Sequence, residues 1–194
     1  MRYSGMLFFF VAVLLADSVA GLKWSAPSGW TSQGRTSMRA ATYVLPAVPG
    51  DEGTAECVVY FFGVGQGGSV EANIDRWKGQ FTELGGKPAA AKVSKRTVHN
   101  LPVTMIESGG DYSGMGGPMA QTPAVKHRFS LLAAIVEGTG GTTLFVKFVG
   151  PEKTVAANRR HFEELVASFE KERAARLSKS VPRTRPRWAT RLPW

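Results

Sequence analysis

The chain has 194 residues, with 24 Lys and Arg against 15 Asp and Glu, and one cysteine. Its hydrophobic fraction of 43% and charged fraction of 20% are ordinary for a globular protein, which excludes a collagen-like chain, a disulfide scaffold and a wholly disordered polymer. The length suits one domain with a sizeable core.

The first twenty residues read as an export signal. Arg2 is followed by the apolar run Met6–Ala16, and Ser18-Val19-Ala20 places small residues at positions −3 and −1 of a cleavage site. The run is shorter than the roughly 20 residues needed to span a bilayer. The competing readings are an uncleaved anchor or a core helix. The pattern predicts an exported protein, periplasmic or secreted, cut near Ala20. It divides the chain into residues 1–20 (signal peptide), 21–170 (one α+β domain) and 171–194 (a basic tail that extends the last helix and then becomes disordered).

Leu22-Lys23-Trp24 opens a short strand. Met38 to Leu45 alternates, with Met38, Ala40, Thr42 and Val44 on one face and Arg39, Ala41 and Tyr43 on the other. Ala55 to Phe62 is a second, strongly apolar strand, close enough for a hairpin. Cys57 within it reads as an inert core thiol; a nucleophile needs a polar setting and a base. Ser69 caps a helix whose apolar stripe is Val70, Ile74, Trp77, Phe81 and Leu84, stopped by Gly85-Gly86. Asn73, Arg76 and Gln80 line one edge of that stripe. They either tie the helix to neighbouring backbone or line a groove.

Lys92–Val98 and Val103–Glu107 are further strands. Ser108 to Thr122 reads as a long Gly/Met/Pro-rich loop. Arg128–Glu137 and Thr142–Val149 form a hairpin around Gly138–Gly141. A final helix begins near Pro151 and buries Val155, Phe162, Leu165, Val166 and Phe169. Two amphipathic helices with hairpin-linked strands predict an α+β fold built on an antiparallel sheet.

The charge is unevenly spread. Residues 21–170 carry 15 basic and 13 acidic groups, whereas residues 171–194 carry eight basic groups against Glu172. A nearly neutral body argues against a nucleic-acid partner. In the tail, Arg183, Arg185, Arg187 and Arg191 interleave with Trp188, Trp194 and three prolines. That composition suits either an anionic membrane surface or plain solvation.

The stretches LKWSAPSGW, MRAATY, GGSVEANIDRWKGQF and LLAAIVEG…LFVKFVGPEKTV…F together resemble a family of uncharacterised exported bacterial proteins with the PsbP/Mog1-like fold. The resemblance implies an α/β/α sandwich, an antiparallel sheet flanked by helices, over most of residues 22–170. It also implies a soluble, non-enzymatic exported module. The tail looks like an addition to the family pattern.

Reactive chemistry is sparse. Gly63–Gly68 satisfies GxGxxG between a strand and a helix, but hairpins downstream oppose a parallel βαβ unit, so no dinucleotide is expected. There is no GxSxG elbow and no HExxH, and His99, His127 and His161 are scattered. Glu107 and Asp111 are the nearest thing to paired carboxylates. Met105, Met115 and Met119 are thin grounds for Cu(I). The expectation is a cofactor-free, monomeric, non-catalytic module that binds a protein or envelope component. The candidate contacts are Asn73, Arg76 and Gln80 in the body and Arg183, Arg185, Arg187 and Trp188 in the tail. The alternatives are a small-ligand protein or enzyme with a site between loops 63–69 and 108–122, and tail-driven association with an anionic membrane.

Overall fold

A computed structural model describes residues 16–83, 86–114 and 125–172. Strands β1 (Ala16–Val19), β2 (Leu22–Ser25), β3 (Thr31–Ser32), β4 (Arg39–Pro46) and β5 (Thr54–Tyr60) come first. Helix α1 (Val70–Lys78), β6 (Phe81–Thr82), β7 (Ala91–Val98), β8 (Leu101–Tyr112), β9 (Lys126–Glu137) and β10 (Thr143–Pro151) follow. The described chain closes with α2 (Glu152–Ala157), α3 (Arg159–Ala167) and β11 (Glu170–Lys171).

The main sheet has the order β3-β4-β5-β10-β9-β8-β6, with β7 also paired to β8, and each of these pairs is antiparallel. Alternating side chains feed two cores. Cys57, Val59, Val146, Phe148, Val136 and Ala134 pack with α2, α3 and the small β1-β2-β11 sheet through Trp24, Val155, Phe162 and Phe169. Ile106, Leu131, Ala133, Ile135 and Phe145 pack on the opposite side with Trp77 and Phe81. The architecture is therefore the expected α+β arrangement, an antiparallel sheet with helices on both faces.

Four boundaries differ from the sequence reading. Helix α1 starts as expected, with the Ser69 hydroxyl accepting from the Ala72 N–H at 3.1 Å. It ends at Gly79, and Phe81 pairs with Tyr112 in the sheet while remaining buried. Spacing of four residues after Trp77 places Phe81 on the helix. Burial in the second core and a strand partner outweigh one more helical turn containing glycine. Gly110 makes that pairing possible: a Cβ there would sit 2.3 Å from the Thr82 carbonyl oxygen.

Second, Ser108 to Tyr112 is not loop but the end of β8. Third, the last helix breaks at Asn158, whose side chain donates to the Thr154 carbonyl oxygen at 2.9 Å. Fourth, it stops at Ala167, and Glu170–Lys171 pair with β2 instead of extending it. Residues 16–20, read as the end of a signal segment, form β1 and a tight turn onto β2. No described helix is long and apolar enough to cross a membrane.

Candidate binding face

The α1 face of the sheet holds an ammonium group in an unusual place. Lys147 interrupts the apolar strand Leu144-Phe145-Val146-Lys147-Phe148-Val149 and is only 7% exposed. Strand alternation sends Phe145, Lys147 and Val149 to this face. Lys147 Nζ donates to Gln80 Oε1 at 2.6 Å and to the Tyr112 hydroxyl at 3.1 Å. It also stands 5.2 Å from the Tyr112 ring centre. Burial pulls its pKa down to about 8, Arg76 adds to the shift, and Glu56 opposes it. Among the described residues its direct partners are thus neutral.

Further aromatic rings share this face. Tyr112 stacks on Phe129 and packs on Phe81, and burial raises its hydroxyl pKa. Tyr60 stacks on Phe62, and Phe62 tilts against Phe145. Lys126 lies over Phe129.

Arg39 joins this face through a β-bulge. Arg39 is opposite Tyr60 while Ala41 is opposite Val59, so Ala40 is the extra residue. The shift re-aims Arg39 away from the side that strict alternation assigns it. Its guanidinium pairs with Glu56 at 2.6 Å and lies over the Tyr60 ring at 5.7 Å.

The three body residues singled out in the sequence separate into distinct roles. Asn73 is buried and donates to the Gly67 and Ser69 carbonyl oxygens, both at 2.8 Å. Its side-chain oxygen accepts from Arg76. That is the backbone-tying role. Gln80 is buried and serves Lys147, and Arg76 is exposed beside the face. Arg183, Arg185, Arg187 and Trp188 lie outside the described residues, as do Met115 and Met119.

Other candidates are dispersed. Glu107 pairs with Arg159 at 2.9 Å, which lowers its pKa, and Asp111 pairs with His127 at 2.9 Å. Met105 is part of the core on the α2–α3 side. Cys57 is fully buried there, and burial raises its thiol pKa. The 63–68 loop leads from β5 into α1 within an antiparallel sheet, and Gly65 N–H donates to the Gly141 carbonyl oxygen at 2.9 Å. A groove of about 630 Å³ runs beside the Gly68-Ser69 end of this loop; its facing walls are Lys95, Thr97 and Thr104 on β7 and β8.

Lys147, Tyr112, Glu56 and the turned Arg39 escaped the sequence reading. For Lys147 a signal was there: a lone charge within a continuous apolar strand.

No family model matches the chain, and no curated protein matches it. Solved structures do. One is cyanobacterial PsbP (CyanoP) from Synechocystis sp. PCC 6803, at 10% identity and TM-score 0.48, covering 86% of this chain and 98% of that one. Another is the Saccharomyces cerevisiae Ran-binding protein Mog1p, at 12% identity and TM-score 0.43, covering 78% and 90%. A protein from Bacteroides thetaiotaomicron VPI-5482 matches at 12% identity and TM-score 0.41, covering 79% and 46%. The two fold names reached from the sequence resemblance are both among these similar structures.

Proposed function

We propose that this chain is an exported, non-catalytic module that binds a protein or another envelope component through the face around Lys147. The supporting observation is the buried Lys147 ammonium, held by two neutral oxygens beside Arg76. A desolvated cation with no carboxylate in direct contact among the described residues, Glu56 acting on it only at longer range, favours an anion brought from outside. The flanking aromatic rings supply contact area at small entropic cost. A partner's carboxylate or phosphate would meet the exposed Arg76 first and draw on Lys147 beneath it. The export half of the reading rests on the N-terminal apolar run and the small residues that follow it.

Capture from envelope extracts by the tagged full chain, compared with its Arg76→Glu variant, tests this. Arg76 is exposed, so the variant should fold. At least tenfold less of the captured component is expected, and equal capture would overturn the proposal. The tail's surplus of positive charge supports a second contact, with anionic lipid. Deleting residues 180–194 should then abolish binding to phosphatidylglycerol vesicles, and unchanged binding would refute it.

A further inference from the structure

The sequence favours a cut after Ala20, because Ser18 and Ala20 are small. The fold gives the residues just before that point structural work. Ala16 to Val19 pair in full register with Ser25 to Leu22. Ala20 and Gly21, both at positive φ (50° and 78°), make the two-residue turn between the strands. Val19 packs against the core that contains Trp24.

The decisive contact is Asp17. Its Oδ2 accepts from the Tyr43 hydroxyl at 2.6 Å, and that hydroxyl in turn accepts from Trp24 Nε1 at 2.9 Å. Both rings are fully buried. Asp17 therefore terminates a hydrogen-bond chain that starts inside the core. Arg35 ties the same strand down, donating to the Ser18 carbonyl oxygen at 2.8 Å and lying 3.7 Å from Asp17 Oδ1. A chain beginning at Gly21 would keep the Trp24–Tyr43 hydrogen bond but lose the carboxylate that accepts from the Tyr43 hydroxyl. It would also expose the β2 edge that β1 covers.

We propose that export processing cuts this chain before Asp17, and that Asp17–Ala20 stay in the mature protein as the outer strand of its small sheet. Ala16 supplies a small residue at −1 for such a cut, with Leu14 rather than a small residue at −3, and Met6–Leu15 remains as the apolar region of the signal. This inference rests on the export reading. Signal removal happens on the unfolded, translocating chain, so β1 does not shield the site; it is a strand that the mature fold needs.

The test is intact mass and N-terminal sequencing of the full-length product, expressed from its own start and recovered from the periplasmic and secreted fractions. A mature chain starting at Asp17, or a few residues earlier, is expected. A start at Ser18 or later, including Gly21, would overturn the inference while leaving export intact. An unprocessed chain would overturn the inference, and finding it in the cytosol would overturn export as well.

Discussion

Replacing Lys147 with methionine should remove a pH dependence that the native protein carries. Lys147 has an ordinary pKa of 10.5 when unfolded and about 8 when folded. The folded state therefore disfavours the charged form. The cost is complete below pH 8 and is relieved as pH rises toward 10.5, because the unfolded chain then binds more protons than the folded one. At about 1.4 kcal/mol per pH unit, the full cost is about 3 kcal/mol, of which about 2 kcal/mol is recovered between pH 7 and pH 9.5. Tyr60 and Tyr112 have raised pKa values, so their stabilisation is complete below pH 10 and is lost only above it. The working range thus stays below their titration. Urea unfolding of wild type and Lys147→Met at both pH values gives the comparison. Wild type should gain about 2 kcal/mol on the variant over that interval. A difference that stays constant within about 0.5 kcal/mol would refute the picture of a desolvated, neutrally partnered ammonium.

Other perturbations probe the supports of this face and of the small sheet. Asp17→Ala leaves the Tyr43 hydroxyl proton buried without its acceptor and should cost about 1–3 kcal/mol by the same unfolding assay. Asn73→Ala removes the ties to Gly67 and Ser69 and should cost about 1–2 kcal/mol despite alanine's better helix propensity, with faster amide exchange at the start of α1. Gly110→Ala combines a φ of 139° with a Cβ 2.3 Å from the Thr82 carbonyl oxygen. It should cost about 3 kcal/mol and detach β6, visible as lost exchange protection at Phe81.

Much of the framework can be read from residue pattern, and the exceptions have physical causes. Ser69 and the Val70, Ile74, Trp77 spacing announce α1, because a cap and a buried stripe are local properties. Phe81 shows the limit of that signal. A residue four positions on fits a helix or a short strand equally, and the choice was made by Tyr112, thirty-one residues away. The bulge at Ala40 is likewise a two-strand property: Arg39 changes sides because β5 pairs around the extra residue. Of the site itself, Gln80 and Arg76 were visible as a polar edge on the helix. Lys147 shows in the sequence only as a lone charge in an apolar strand, since its significance depends on burial against Gln80. Arg159 and His127, which pair with Glu107 and Asp111, come from other strands and helices and so are not visible beside them in sequence.

The most direct measurement of the binding claim is site-specific photocrosslinking in intact cells. A benzophenone side chain is placed in the full-length protein at Ala72, an exposed position on α1 one turn before Arg76, and separately at Arg160, an exposed position on α3 across the sheet. A discrete adduct is expected from position 72 and none from position 160. Adducts of equal yield from both positions, or an adduct from position 160 alone, would contradict it.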